Sequence, residues 1–234
     1  VGFSIIFLLL SFWGFKIIRD SEKNYIWAGM ARETAHQLGT PISSLLGWLN
    51  LLDDDEMDRN SIITSMVEDI NRLSDISDRF YKIGTSPKFK KVDLTSLSKS
   101  VKQYITKRIP KHSNVKINID SKVDCNIKGD KVLLIWAFEN LVKNSLDACD
   151  QNKAIINISM EKKNHRVIIN LSDNGRGIPR KNWSDIFKPG FSSKERGWGL
   201  GLSLTRRIIE ELHNGSIRVI KSRPGATLIR IILS

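Results

Sequence analysis

The sequence predicts an α+β chain. An N-terminal helix leads into a helical hairpin that closes as a four-helix bundle in a dimer, and an α/β sandwich follows. Three observations predict this. Apolar residues from Ala31 to Ile83 recur at steps of three and four, broken once by an acidic run. Beyond Pro87, helical and strand-like patterns alternate. Gly- and Asn-rich boxes sit where those patterns meet.

At 234 residues the chain has room for a globular domain of roughly 150 residues and a smaller element. Its 41% hydrophobic and 26% charged content is ordinary, but the net charge of +12 is not. That charge favours anionic partners. No nucleic-acid-binding motif accompanies it, so a nucleotide is expected and a nucleic acid is not. Cys125 and Cys149 lie far apart without metal-ligand spacing, and read as reduced thiols.

Residues 1–15 are almost wholly apolar and are followed by Lys16 and Arg19. The run falls short of the roughly 20 residues of a full span, so it reads as the cytoplasmic end of a transmembrane helix, with Trp13 at the interface. The chain starts with Val rather than Met, and the expectation is of a piece whose beginning lies further upstream. A signal peptide fits less well, because basic residues follow the run and no small-residue cleavage site does. A buried core helix is the plainer alternative. Residues 16–30 read as a signalling helix.

Ala31, Ala35, Leu38, Ile42, Leu45, Leu49 and Leu52 form the first heptad seam, and Ile63, Met66, Ile70, Leu73, Ile76, Phe80 and Ile83 the second. Between them stands Asp53-Asp54-Asp55-Glu56. Two antiparallel helices over 31–84 follow, and a lone hairpin cannot hide such a seam, so a homodimeric bundle is expected. In the domain spanning 85–234, residues 94–107, 131–150 and 200–212 read as helices. Residues 115–119, 154–160, 167–171, 216–220 and 227–233 read as strands, the last two as a closing hairpin.

Four boxes carry the chemistry. Asn140 and Asn144 lie one helical turn apart on one face, where amide oxygens suit Mg²⁺ without adding charge beside a triphosphate, and Lys143 adjoins them. Taken alone, two such Asn more often mark a solvated face. Asp173 ends an apolar strand, where a carboxylate can accept from an exocyclic amine, and Gly175 and Gly177 let the backbone approach a flat base. Gly197, Gly199, Leu200 and Gly201 open a helix whose N–H groups suit phosphate. Residues 180–196 hold Lys188, Lys194 and Arg196 with Phe187 and Phe191, the composition of a basic lid anchored by aromatics. The fourth box is His36-Gln37-Leu38-Gly39-Thr40-Pro41. His36 lies one step off the seam, toward water, Thr40 one turn on shares its face, and Pro41 invites a bend.

These boxes, in this order over residues 22–234, resemble the ATP-binding domain shared by gyrase, heat-shock chaperones, mismatch-repair ATPases and sensor histidine kinases. The His-box and lid phenylalanines resemble the histidine kinases in particular. The resemblance implies ATP and Mg²⁺ as cofactors, with Asn144 on the metal, Asn140 and Lys143 facing phosphates, and Asp173, aided by Thr227, holding adenine. It implies that His36 is phosphorylated, that a response regulator aspartate then receives the phosphoryl group, and that Thr40 orients water for phosphatase activity. It also places such a protein at the inner membrane of a bacterium, with its kinase domains in the cytoplasm.

One position separates the branches of the family, and two, Gln37 and Gly39 (where Arg is commoner), depart from the histidine kinase pattern. The hydrolytic relatives carry a glutamate where Asn140 stands, and an amide is no base near neutral pH. Glu139 is about 100° around the helix and points elsewhere. Gln37 replaces the usual acid beside the phosphorylated histidine; it can accept a hydrogen bond but not a proton, so a carboxylate there is expected to speed the reaction. A nucleotide-binding adaptor without kinase activity and a clamp ATPase are the rival readings.

Overall fold

The computed structural model describes residues 2–52, 58–110, 113–121, 124–150, 153–193 and 199–234. The chain divides into two compact units, Val1–Phe80 and Tyr81–Ser234.

The first unit is a helical hairpin. Its first helix, α1, runs over Gly2–Leu51 and continues through Pro41. The expected membrane segment, signalling helix and first arm of the hairpin are thus one uninterrupted helix of 50 residues. No helix among the described residues is long and apolar enough to cross a membrane. The second helix, α2, spans Arg59–Gly84. Asp58 starts it, its Oδ1 accepting the Asn60 N–H at 3.1 Å. The predicted acidic loop, Asp53 to Glu56, lies outside the described residues.

Inside the hairpin Ile26, Met30, Ile62 and Ile76 are buried. The Trp27 and Phe80 rings meet edge to face at 6.0 Å, and Trp48 Nε1 donates to Asp69 Oδ2 at 3.1 Å. The seam read from the sequence is only partly internal: Ile42, Leu49, Ile63 and Ile70 are exposed, and so are Leu46 and Val67. One hairpin has one inner face, so a heptad stripe wider than that face spills onto the outside.

In the second unit β1 (Lys90–Asp93) leads into α3 (Leu94–Thr106), which Asp93 caps by accepting the Thr95 N–H at 2.9 Å. Then come β2 (Lys116–Ser121), β3 (Asn126–Gly129) and α4 (Lys131–Ala148), the last capped by Asp130. β4 (Ile155–Lys163) and β5 (Arg166–Asp173) form a hairpin. α5 (Gly201–Arg206) runs on as a π-helical stretch, Arg207–Leu212, before β6 (Ser216–Arg223) and β7 (Ala226–Leu233).

The main sheet has the order β2-β4-β5-β7-β6, with β2 parallel to β4 and the other pairs antiparallel. Period-two burial gives it one dry face. Ile156, Ile158, Ile169, Leu171, Ile229 and Ile231 point inward; α3 packs on β2, α4 on β4 and β5, and the π-helical stretch after α5 on β6. This is the expected sandwich with its helices on one side. A second ladder, β1 with β3, was not predicted. Cys125 and Cys149 are free thiols.

Candidate functional site

Two groups of residues emerge, one in each unit. In the hairpin, His36 and Thr40 are exposed on α1, and Gln37 is half-buried beside them. Gln37 Nε2 donates to Glu33 Oε1 at 2.5 Å.

In the second unit the end of β5 builds the floor of a pocket. Asp173 is 8% exposed, its Oδ1 accepting the Gly175 N–H at 2.9 Å and its Oδ2 the Ser145 hydroxyl at 3.0 Å. Burial pushes its carboxyl above the usual carboxylate range, while the Gly175 N–H and the Ser145 hydroxyl pull the other way. Two donors therefore fix the carboxylate's orientation. Thr227 lies directly across the ladder from Asp173 and is buried too. Its hydroxyl meets Ser222 Oγ at 2.9 Å, and Ser222 also accepts the Ile178 N–H at 2.7 Å.

The turn after Asp173 is pressed against the end of α4. A Cβ on Gly175 would stand 2.7 Å from the Ala148 carbonyl oxygen, and Arg176 N–H donates to that oxygen at 2.9 Å. Gly177 has φ +80°, which side-chain-bearing residues rarely adopt. Asn174 ties the turn to the chain before β4, accepting the Ile155 N–H at 2.8 Å and donating to the Lys153 carbonyl at 2.7 Å.

Asn140 and Asn144 project from α4 toward the start of α5. Asn140 Nδ2 donates to the Gly201 carbonyl at 3.4 Å, and a Cβ on Gly201 would lie 3.6 Å from Asn144 Nδ2. Leu200, just before, is buried. Lys143 takes another direction. Its ammonium is 3.9 Å from Glu139 Oε2 and 5.8 Å from the ring centre of Tyr104 on α3. Glu139 itself is buried. The two uncharged amides beside a glycine fit Mg²⁺, which keeps several waters and takes substrate phosphates as ligands.

The stretch expected as a lid begins with two short 3₁₀ turns, Arg180–Asn182 and Asp185–Phe187. Phe187 is buried and Phe191 half-buried, while Lys188 pairs with Asp185 at 2.7 Å. That ammonium draws the Asp185 carboxyl below its usual range. Gly199 accepts the Gly190 N–H at 3.2 Å, closing the base of the loop. Lys194, Arg196 and Gly197 lie outside the described residues.

Sequence reasoning missed Ser145, Ser222 and Glu33. The only signal for Ser145 in the sequence is its place four residues after Leu141, on the apolar side of α4. Glu33 was readable from its four-residue spacing to Gln37.

Residues 129–234 match the family model described as histidine kinase-, DNA gyrase B- and HSP90-like ATPase. Among curated proteins, Sporulation kinase C of Bacillus subtilis (strain 168) is 26% identical over 221 residues, covering 93% of this chain and 51% of that protein. Sporulation kinase B of the same organism is 29% identical over 219 residues, covering 91% and 51%. The chain thus spans about half the length of these relatives. Among solved structures, the catalytic domain of histidine kinase ThkA is 28% identical with a TM-score of 0.57, covering 62% of this chain and 95% of that one. ThkA in complex with the response regulator protein TrrA shares the fold at 23% identity and TM-score 0.57, covering 91% and 63%.

Proposed function

Starting from a C-terminal segment that belongs to the histidine kinase-, DNA gyrase B- and HSP90-like ATPase family, we propose that this chain is the kinase part of a sensor histidine kinase. ATP binds with its adenine amine on Asp173 and Thr227 and its phosphates near Asn140, Asn144 and Gly201. The γ-phosphoryl group passes to His36, of the same chain or of its dimer mate, and then to an aspartate of a response regulator. The relatives are named kinases, and ThkA has been crystallised with a response regulator.

One observation carries the kinase reading over hydrolysis. The residue of α4 that faces Gly201 is Asn140, and the neighbouring acid, Glu139, is buried and paired with Lys143. Among the described residues no base then stands beside the nucleotide to activate water, so the acceptor comes from outside the pocket. Mg²⁺, held by Asn144, offsets the charge of the triphosphate when bound. The remaining work is positioning: Asp173 and Ser145 orient the base, Asn140 the phosphates, and His36 presents an exposed imidazole to attack in line.

The same reading makes Thr40, one turn beyond His36, the residue that orients water when the regulator is dephosphorylated. It also makes residues 2–15 the end leading to the membrane: Phe7, Leu10, Phe12 and Trp13 are exposed on α1. The hairpin dimerises through its outer seam, and the kinase works in the bacterial cytoplasm.

Incubation of the chain with γ-labelled ATP and Mg²⁺ tests this. The wild type should carry acid-labile, base-stable label that passes to a response regulator, and His36→Ala should carry none. ATP turnover without a labelled protein would instead favour a clamp ATPase, and binding without either would favour an adaptor.

A further inference from the structure

On α1 the residues Glu33, His36, Gln37 and Thr40 lie within about 100° of arc, since steps of three and four nearly complete one turn. Side chains on a helix lean toward its N-terminus, so His36 and Gln37 both lean over the turn that carries Glu33. The contact is present: Gln37 Nε2 donates to Glu33 Oε1 at 2.5 Å. A carboxylate offers acceptors only, so it takes the NH₂ end of the amide and leaves the carbonyl end of Gln37 for another donor.

Resting on the histidine kinase reading, we infer that Glu33 is a positioning residue for phosphorylation of His36, acting through Gln37 and supplying the charge that Gln37 lacks. The Gln37 carbonyl accepts the N–H of the ring nitrogen that does not attack. The attacking nitrogen's lone pair forms the N–P bond. The bond between the γ-phosphorus and the bridging oxygen breaks, and its electron pair leaves with ADP. Positive charge grows on the ring as this happens, and the N–H proton then passes to water. Glu33 takes no proton. It holds the amide against rotation and places a negative charge one turn from the developing imidazolium, in the manner of a charge-assisted hydrogen bond.

This arrangement changes what a carboxylate at position 37 does. With Glu33 present, Gln37→Glu brings two acids into contact at a four-residue spacing, and their repulsion removes most of the gain that an acid at 37 alone would give. The two positions are coupled, and a double-mutant cycle reads the coupling.

The test is the rate of label uptake from γ-labelled ATP by the intact chain across ATP concentrations. Glu33→Gln should lower kcat about tenfold, the loss of a charge-assisted bond, with KM for ATP unchanged. Adding Gln37→Glu to Glu33→Gln should restore the wild-type rate, because the acid is then at 37 without a neighbour to repel it. Gln37→Glu alone should gain less than it gains in the Glu33→Gln background, the sign that the two positions are coupled. A labelled wild type with Glu33→Gln at the same rate overturns the role of Glu33 alone. So does a lost rate that Gln37→Glu fails to restore, which marks Glu33 as merely supporting the helix. A wild type that takes no label overturns the histidine kinase reading itself.

Discussion

In the hairpin, Ile42, Leu46, Leu49, Ile63, Val67 and Ile70 remain 47–59% exposed, whereas in the ATP-binding unit Ile156, Ile158, Ile169 and Leu171 are at most 2% exposed. The sheet completes its core within one chain, because three helices cover its apolar face. The hairpin has two helices for a stripe wider than one contact, and its outer half waits for a second surface. Stability is thus local to the second unit, while under the proposed dimer that of the hairpin would depend on protomer concentration.

The contrast breaks most sharply at the seam. In a symmetric dimer each substitution acts twice, and an acid replaces an apolar side chain whose burial in the proposed interface is worth about 2 kcal/mol. Leu46→Glu with Ile70→Glu should therefore weaken dimerisation about a thousandfold or more, measured by analytical ultracentrifugation. Nucleotide affinity should stay as it was, since the pocket belongs to the other unit. A dimer that persists would mean that the exposed stripe is not the interface.

The opposite cut is Asp173→Asn. The carboxylate is held by Gly175 and Ser145, and an amide keeps the shape but loses the charged acceptor. ATP affinity by titration calorimetry should fall about 100-fold, in line with a lost bond to a charged group. The dimer should be unaffected. Unchanged affinity would remove Asp173 from the adenine contact.

What the sequence disclosed follows the same division. Features set by local spacing were legible: the two hairpin helices, though not which of their residues face inward, the strand ending in Asp173, the two amides of α4 and the exposed imidazole of His36. Pairings set by tertiary context were not. The strands Lys90–Asp93 and Asn126–Gly129 are four residues each, too short for an alternating pattern to stand out, and their partnership spans a helix and another strand. The hydroxyl of Ser145 reaches Asp173 only because α4 crosses the end of β5. Lys143 is a different case: Glu139 lies four residues before it, an ion pair visible in the sequence but outweighed there by the neighbouring Asn residues.

The smallest effect concerns His213, which the pocket does not use. It sits at the end of the π-helical stretch, buried, its ring stacked on Phe89 at 5.1 Å. Nε2 accepts the Asp130 N–H at 3.0 Å, so the ring proton is on Nδ1 and goes to the Ile208 carbonyl at 2.7 Å. Both nitrogens are satisfied in the neutral form. Burial lowers its pKa below the ordinary 6.5, against the opposing pull of Ile208 and the Asp130 charge. The unfolded chain therefore binds a proton here before the folded one does, so stability is full above pH 6.5 and falls as pH drops through and below it. Asp130 faces the same cluster. Burial raises it, but Lys82 at 2.9 Å and the Lys88 N–H outweigh that and hold it below the usual carboxylate range, so it stays charged throughout this window. Asp173, raised by burial, works in the other direction, since the folded state takes up its proton first. Comparing wild type with His213→Gln cancels that contribution. The difference in urea unfolding free energy between pH 7.5 and pH 5 should be larger for the wild type, in the direction of lost stability at the lower pH. Equal differences would show that the ring does not titrate with folding, and that the link from Phe89 through His213 to Ile208 is held by packing alone.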